Sequence, residues 1–251
     1  MKAFVINLDR APERWAHIEQ SFAGTAFQLC RVPAVDGNGI TLPTRDFSER
    51  GFRRLHGRGT NPFEIACYWS HVKAMAAFLQ TTDEHAMICE DDIVPEPKLD
   101  EVVKAALRHA RFWNVLRLSG LSAGKPWMLT RLHDEFSLCL HTQRLKGAGA
   151  YIVDRRAAQA FVNGLLPMKL PFDHAMDREW VFGLTAAAVT PFPISQTERK
   201  FRSSIQSSSQ PHLSPLLRLF ATYPYQVANE VSRWCVRHLQ LAHFKLRGAS
   251  T

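Results

Sequence analysis

Short β-prone runs alternate with amphipathic helical segments through the first 120 residues of the chain. This alternation predicts an α/β sandwich with a mainly parallel central sheet. Ligands bind such folds at the carboxyl ends of the strands. Three polar segments follow predicted strands, namely Asn7-Leu8-Asp9, Asp36-Gly37 and Glu90-Asp91-Asp92. We therefore expect these three segments to converge on one crevice.

The clearest local signal is a helix that begins after Asn61. Asn61 is a good cap, Pro62 suits the first turn, and Glu64 follows the cap by three residues. Residues 41–60 are polar and basic and contain glycine, so they predict a long loop. The end of the chain predicts two apolar and basic helices near 214–222 and 225–246.

Composition excludes several classes of protein. Hydrophobic residues make up 46% of the 251 residues and charged residues 22%, as in ordinary globular chains and unlike disordered ones. No apolar run approaches the roughly 20 residues of a membrane-spanning helix, and the N-terminus does not resemble a secretory signal. The five cysteines form no CxxC pair, which argues against a disulfide framework and a structural zinc site. We expect a reduced cytoplasmic protein with small buried thiols.

Positive charge is concentrated at the end of the chain. The formal net charge is +8, and eight basic residues but only one acidic residue follow residue 198. We therefore divide the chain into a domain at 1–198 and a basic, helical extension at 199–251. Its mixture of basic residues such as Arg233 and Arg237 with Trp234 and Phe244 suits an anionic membrane surface. The alternative is a helix packed on the domain with a solvated basic face. No nucleic-acid-binding motif occurs, so we expect no nucleic-acid partner.

The acidic run Glu90-Asp91-Asp92 follows the apolar run at 86–89. Three adjacent carboxylates repel one another, and a divalent cation such as manganese or magnesium would relieve that repulsion. In a strand, Glu90 and Asp92 would point to the same side and could hold that metal. The alternative is a solvated acidic turn.

A second polar cluster lies at Asp173-His174 with Asp177. The two aspartates are four residues apart, so a helix would place them on one face. His174 suits a metal ligand or a general acid or base. The alternative is a helix N-terminus, where acidic residues are favoured electrostatically.

The pair Ser70-His71 lies within the helix that follows Asn61, and His71 lies off its apolar face. Adjacent serine and histidine are not a hydrolase signature, because catalytic triads are assembled across a fold. The chain has no G-x-S-x-G elbow, no P-loop and no G-x-G-x-x-G after the first strand. These absences argue against an α/β-hydrolase, a P-loop NTPase and a Rossmann dehydrogenase.

Six segments in order between about residues 3 and 196 form a recognisable set. They are Val5-Ile6-Asn7-Leu8-Asp9-Arg10 with Pro12-Glu13-Arg14, Pro33 to Gly37, Glu64 to Ala74, Ile88 to Asp92, Gly147 to Val153 with Ala157-Ala158, and Pro171 to His174 with Asp177. Together they resemble the sequence blocks of glycosyltransferase family 25, which includes bacterial lipooligosaccharide galactosyltransferases and, more distantly, collagen galactosyltransferases. Two positions depart from the pattern: Ala66 replaces a glycine-type residue, and Cys89 replaces an aliphatic or aromatic one.

The resemblance implies a GT-A-like fold, a nucleotide-sugar donor and inversion at the anomeric carbon. Glu90 and Asp92, with His174, would hold manganese or magnesium. Asp173 would be the first candidate for the base that deprotonates the acceptor, followed by Asp91, with Asp177 also at the catalytic centre. The donor pocket would be formed by Asn7, Asp9, Arg10, Asp36, Gly37, Ser70 and His71.

The same resemblance suggests substrates and a location. UDP-galactose would be the donor, and a lipid-linked or oligosaccharide acceptor of lipopolysaccharide would receive the sugar. The basic extension would dock on the inner face of the cytoplasmic membrane. Two other functions remain open from the sequence: a metal-dependent hydrolase of phosphate esters or nucleotides, and a non-catalytic module that binds a membrane surface.

Overall fold

The computed structural model describes residues 1–121, 126–196 and 213–248. Its helices are α1 (Pro12–Ser21), α2 (Glu49–His56), α3 (Pro62–Leu79), α4 (Leu99–Leu107), α5 (Arg155–Gly164), α6 (Phe172–Met176), α7 (Pro215–Leu217) and α8 (Tyr223–Gly248). Its strands are β1 (Lys2–Asn7), β2 (Gln28–Pro33), β3 (His85–Glu90), β4 (Ile93–Pro95), β5 (Val115–Arg117), β6 (Pro126–His133), β7 (Phe136–His141), β8 (Ala150–Asp154), β9 (Ala186–Thr190) and β10 (Ile194–Gln196).

Within the described ranges, eight strands form one sheet in the order β2-β1-β3-β8-β5-β9-β7-β6. The pairs β1–β2, β1–β3 and β5–β9 are parallel, and the other four pairs are antiparallel. Six of the eight strands consequently run in one direction, and only β7 and β8 run against them. The predicted α/β fold with a mainly parallel sheet is confirmed. A separate antiparallel pair joins β4 to β10.

The sheet is covered on both faces because its strands alternate their side chains. Phe4 and Ile6 of β1 pack in an apolar cluster with residues of α3 and α5. Ala3 and Val5, which point the other way, pack with residues of α1 and α4. Buried strands with apolar residues on both sides are typical of such layered folds.

The segment 41–60, predicted as a loop, contains helix α2. The Ser48 hydroxyl caps its first turn by accepting the Gly51 N–H at 3.2 Å, and Gly57 ends it in a left-handed conformation at φ +77°. Phe52 of α2 is buried in the core. The prediction of a continuous loop was wrong because Phe52, with Leu55 beside it, packs this short, charged helix against the core.

Helix α3 begins as the sequence predicts. The Asn61 side chain accepts the Phe63 N–H at 3.0 Å, and Pro62 occupies the first turn. This helix carries Cys67, Ser70 and His71, and it packs against β1 and α5. Because the position of the cap sets the register of the helix, it determines which way Cys67, Ser70 and His71 point relative to the sheet.

The C-terminal segment forms one helical run instead of two helices. α7 continues through a π-helical turn at Arg218–Thr222 into α8. Residues 199–212, with Arg199, Lys200, Arg202 and the polar stretch 203–209, lie outside the described residues. The predicted division of the chain at residue 198 stays a prediction.

Two of the basic residues predicted to face a membrane are buried. Arg233 and Arg237 are 1% and 3% exposed, because Asp177 and Glu179 of the preceding domain lie 3.0 Å and 2.6 Å from their guanidinium groups. Helix α8 therefore packs on the domain, as the alternative interpretation predicted, but it does so through these two arginines, and the solvated basic face of that interpretation was wrong for them. The apolar residues of α8 are, by contrast, mostly exposed to solvent.

No helix in the described ranges combines the length and hydropathy needed to span a bilayer. Cys89 and Cys139 are buried, as predicted, but Cys30 and Cys67 are partly exposed and Cys235 is exposed. The expectation that the thiols are buried was therefore wrong for three of the five.

Candidate active site at the carboxyl edge of the sheet

The three polar segments singled out from the sequence lie at one edge of the sheet. Asn7 at the end of β1 is level with Pro33 at the end of β2, and Ile6 is level with Glu90 at the end of β3. The parallel register thus brings the segments after these strands together, as expected for strand ends in an α/β fold.

Asn7 and Asp91 form the buried centre of this edge. Asn7 is fully buried; its amide group donates to Asp91 Oδ2 at 2.8 Å, and its carbonyl oxygen accepts from Arg31 at 2.8 Å. The other oxygen of Asp91 pairs with Arg14 at 2.9 Å. Protein groups thus engage the polar atoms of both residues, and donor binding by Asn7 and catalysis by Asp91 stay predictions.

The exposed part of the predicted donor pocket contains two ion pairs. Arg10 lies 3.2 Å from Asp36, and Asp9 lies 2.9 Å from Arg31. Asp36 also caps the short turn Gly37–Gly39 by accepting the Asn38 N–H. These charged side chains reach solvent and remain available to a ligand.

Ser70, also predicted to contact the donor, lies beneath this pocket and bonds to the protein main chain. It is buried, donates its hydroxyl hydrogen to the Ala66 carbonyl at 2.7 Å and accepts the Val35 N–H at 2.9 Å. The contact with Val35 fixes the segment that precedes Asp36. We therefore find Ser70 in a positioning role, with its hydroxyl facing the protein.

Glu90 and Asp92 lie together where β3 turns into β4. Asp91 and Asp92 form the turn itself, so the pair is not in a continuous strand as the sequence argument supposed. Burial and the neighbouring carboxylates of Glu90 and Asp91 raise the pKa of Asp92 to about 7. Asp92 Oδ1 is buried without a hydrogen-bond partner. Such a group is costly to leave unpaired, and a cation would satisfy it.

Cys67 and His71 extend this cluster from helix α3. His71 Nε2 lies 3.5 Å from Glu90 Oε1, and Cys67 Sγ lies 4.0 Å from the same oxygen. His71 is fully buried and stacks on Phe172 with ring centroids 4.0 Å apart. The predicted contact of His71 with a donor is therefore replaced by a contact with Glu90. Burial and nearby carboxylates, Glu90 first among them, raise the pKa of Cys67 well above its ordinary value.

Asp173 is held by the loop Gly147–Gly149. Its carboxylate accepts the Gly147 N–H at 3.1 Å and the His174 N–H at 2.9 Å. Gly149 at the other end of the loop accepts the Glu90 N–H at 2.8 Å. Burial raises the pKa of Asp173, but His174, the Gly147 N–H and Arg117 outweigh it and hold the pKa below its ordinary value. Asp173 is therefore ionised at neutral pH.

His174, predicted as a metal ligand, lies against a cation. Its ring nitrogens are 3.3 Å from Arg144, which also pairs with Glu230 at 2.6 Å. Burial lowers the pKa of His174, Asp173 opposes the change, and Arg144 adds to it. A guanidinium group beside the ring disfavours a second cation there, so the structure does not support the metal role of His174.

Asp177 has different contacts from Asp173, although the two are only four residues apart in the sequence. Asp177 follows α6, is 5% exposed and pairs with Arg233. Burial raises the pKa of Asp177 to about 7, even though Arg233 and Arg237 oppose this change. The Asp177 N–H bonds to the Asp173 carbonyl at 3.1 Å at the end of α6, so the two residues lie one helical turn apart, but their carboxylates have different partners. The catalytic role of Asp177 stays a prediction.

The sequence analysis missed several residues of this site. Glu64 and Cys67 were missed, although they recur at helical spacing on α3 with His71, which was predicted; that spacing was a usable signal. The other missed residues approach from distant strands and had no local signal, namely Tyr151 on β8 and Gln196 on β10. Glu64 has its pKa raised by burial and by Asp173, with Arg58 opposing, so it belongs to the same acidic region.

Comparison with protein families identifies the chain. Residues 1–176 match the model described as "Glycosyltransferase family 25 (LPS biosynthesis protein)". The chain belongs to glycosyltransferase family 25. The match covers more than half of the chain and includes the carboxylates at the edge of the sheet.

Two relatives carry the same family description. A "Glycosyltransferase 25 family member" of Drosophila pseudoobscura pseudoobscura is 27% identical over 237 residues, covering 82% of this chain and 37% of the relative. One of Drosophila melanogaster is 32% identical over 117 residues, covering 44% of this chain and 19% of the relative. The chain thus spans little more than a third of the length of the first of these relatives, and less of the second.

Solved structures show a more distant similarity. The inositol-1-phosphate CTP transferase from T. maritima has 11% sequence identity and a TM-score of 0.39, with 74% of this chain and 84% of that chain covered. The galactosyltransferase LgtC, in complex with donor and acceptor sugar analogs, has 11% identity and a TM-score of 0.33, covering 74% and 73%. At these values the assignment rests on the family match alone.

Proposed function

We propose that this chain is a glycosyltransferase that uses a nucleotide-sugar donor and a divalent metal. The observation that carries the proposal is the convergence of Glu90, Asp92 and Asp173 at the carboxyl edge of the sheet of a family 25 chain. Two of the carboxylates suit a metal, and the third suits a base.

Glu90 and Asp92 are the proposed ligands for manganese or magnesium. The buried, unpaired Asp92 Oδ1 and the mutual repulsion of the carboxylates fit a hard cation. When bound, the metal neutralises charge on the diphosphate leaving group. His174 is excluded from the set because it lies against Arg144.

Asp173 is the proposed base that removes the proton from the acceptor hydroxyl. It is ionised at neutral pH, and the two main-chain N–H groups fix its orientation. Asp91 and Asp177 are less suitable, because Arg14 and Arg233 already pair with them. Direct attack by a hydroxyl activated in this way would invert the configuration at the anomeric carbon, which is the outcome that we propose.

The donor is proposed to enter beside Arg10 and Asp36. These side chains are partly exposed at the ends of β1 and β2, where nucleotides bind in α/β folds. Galactose from UDP-galactose is the first donor to test, and a glycan of lipopolysaccharide is the proposed acceptor. The family description, which names LPS biosynthesis, supports this choice.

A donor panel tests the proposal. Purified protein is mixed with UDP-galactose, UDP-glucose, UDP-N-acetylglucosamine or a GDP-sugar, with and without manganese, and nucleotide release is followed. We expect metal-dependent release from one donor that a sugar acceptor increases. Equal turnover without acceptor would instead indicate a hydrolase, and no turnover or binding of any donor would contradict the proposal.

Three variants separate the proposed roles. Asp92→Asn should abolish the response to manganese, and Asp173→Asn should lower turnover by about 10²–10⁴-fold, as expected for loss of a general base. Asp46→Asn is the matched control, because it changes an exposed carboxylate that is distant in sequence from Asp92 and Asp173. Wild-type turnover in Asp173→Asn would remove Asp173 from the mechanism.

We also propose that the chain docks on the cytoplasmic face of an anionic membrane, where a lipid-linked acceptor would be presented. Leu216, Leu219 and Phe220 are 69%, 54% and 76% exposed. Arg50, Arg53 and Phe220 line one groove. Exposed apolar groups beside cations complement an anionic lipid surface.

Binding to vesicles tests this surface. Phe220→Ser with Leu219→Ser should reduce partition onto vesicles that contain anionic lipid, whereas Met128→Ser, which removes a 65% exposed apolar residue on β6, should not. Point variants are preferable to deletion of the C-terminal segment, since deletion would also unpair Asp177 and Glu179. Unchanged partition of the double variant would refute docking through this surface.

A further inference from the structure

Cys67, His71 and Glu90 form a three-residue cluster that neither the proposed metal pair nor the proposed base uses in full. One ligand atom from each residue lies within 4.8 Å of the other two. Cys67 and His71 are four residues apart on α3, which places them on one face of the helix. Glu90 approaches from the end of β3.

The distances suit a tetrahedral metal with mixed ligands. A zinc ion with bonds of about 2.0–2.3 Å to nitrogen, oxygen and sulfur separates its ligand atoms by about 3.3–3.7 Å. Glu90 Oε1 is 3.5 Å from His71 Nε2 and 4.0 Å from Cys67 Sγ. All three separations are within 4.8 Å, so side-chain movements of up to about 1 Å would close the set around an ion.

Neighbouring groups orient the proposed ligands. His71 Nδ1 lies 3.1 Å from the Tyr151 hydroxyl, which leaves Nε2 directed at Glu90, and this buried Nε2 has no hydrogen-bond partner. Gln196 donates to Glu90 Oε2 at 3.2 Å, so Oε1 is the oxygen that faces the cluster. Metal ligands are commonly held in this way by a second hydrogen-bonded group.

We propose that Cys67, His71 and Glu90 bind a thiophilic divalent cation, Zn²⁺, with a fourth position open to the cleft. A thiolate with an imidazole selects zinc over manganese and magnesium, which prefer oxygen ligands. Binding releases the thiol proton to solvent and leaves the sulfur as a thiolate ligand. Cys67 and Glu90 are partly exposed, so the ion has a path from the cleft.

The site shares Glu90 with the proposed manganese pair. Resting on the proposed function, we infer that zinc competes with manganese for Glu90 and so inhibits manganese-dependent transfer. Zinc would then regulate the same site that manganese activates.

Cobalt spectroscopy of the full chain tests the ligand set without any donor sugar. Co²⁺ added to chelator-treated protein should give the near-ultraviolet absorption of a cobalt–thiolate bond, and Zn²⁺ should remove it. Cys67→Ser should lose this absorption, whereas Cys30→Ser, at another partly exposed thiol, should keep it. No thiolate absorption, or the same absorption in Cys67→Ser, would overturn the proposal.

A measurement on the wild-type chain removes any dependence on the folding of the variants. Zn²⁺ should slow alkylation of one thiol by at least about tenfold, and peptide mapping should identify it as Cys67, while Mn²⁺ should not protect it. Protection of a different thiol, or of none, would overturn the site. Both readouts are independent of donor turnover, so the zinc site and the transferase activity can fail separately.

Competition is tested last, in the donor assay with manganese. Zinc should inhibit nucleotide release, and the zinc concentration that halves the rate should rise at least about tenfold in Cys67→Ser. Equal inhibition of the variant and the wild type would overturn the sharing of Glu90.

Discussion

Arg233→Met tests whether a buried ion pair holds the C-terminal helix on the domain. Arg233 is 1% exposed, pairs with Asp177 at 3.0 Å and lies over the Trp180 ring at 5.2 Å. Removing one member of a buried pair leaves the other charge uncompensated, which typically costs about 3–5 kcal/mol. We expect a loss of stability of this size near pH 8.

The pKa of Asp177 determines how the stability of the fold changes with pH. The pKa of Asp177 is raised by burial to about 7 from an ordinary 3.8, so the folded state keeps a proton that the unfolded state releases. The stability that this proton contributes is therefore present at low pH and is lost as the pH rises from about 4 through 7, by about 4 kcal/mol in total. Arg233 lowers this pKa, so the Arg233→Met variant should hold the proton to higher pH.

The cost of Arg233→Met, relative to wild type, should consequently grow between pH 5 and pH 8. Urea unfolding at each pH, followed by tryptophan fluorescence, measures it. Lys245→Met is the matched control, because Lys245 is an exposed cation of the same helix that lies over Trp127. A cost below about 1 kcal/mol at pH 8, or one that does not change with pH, would refute the assignment of Arg233 as the counter-ion of Asp177.

Three substitutions near α3 give further predictions. Gly37→Ala should lower stability by about 1–3 kcal/mol, since its Cβ would lie 2.5 Å from the Phe63 ring, while Gly39→Ala, with open space around it, should change thermal stability little. Asn61→Ala should cost about 0.5–2 kcal/mol in urea unfolding through loss of the helix cap, and no change would show that the cap is dispensable. Ser70→Ala should cost about 1–3 kcal/mol and weaken donor binding in calorimetry, because it leaves a main-chain N–H unpaired.

Local sequence signals predicted the parts of the fold that depend on residues close to one another in the sequence. The cap at Asn61 and the acidic turn after β3 were both found because propensity and spacing act over a few residues. The same reasoning failed for α2, whose stability comes from docking of Phe52 in the core. Isolated helices of this length are marginal, so tertiary packing decides whether they form.

The sequence could suggest which residues form the site, but not which of them pair with one another. The sequence named Glu90, Asp92 and Asp173 as candidate site residues, yet it could not show that Asp91 pairs with Arg14, which is 77 residues away. It also assigned Arg233 to a solvent-facing surface, whereas an acidic partner on the domain buries it. Charge counting along a chain does not reveal which charges neutralise one another in space.

The loop Gly147–Gly149 gives the site a mechanical property. It binds Asp173 through one main-chain N–H and the Glu90 backbone through one main-chain carbonyl. The Asp173 carboxylate and the Glu90 main-chain N–H thus bond to a single short piece of backbone, so a displacement of that piece acts on both residues together. The spacing of the two residues therefore depends on this loop, and the left-handed backbone of Gly147, at φ +82°, is the point at which that spacing is most sensitive to substitution.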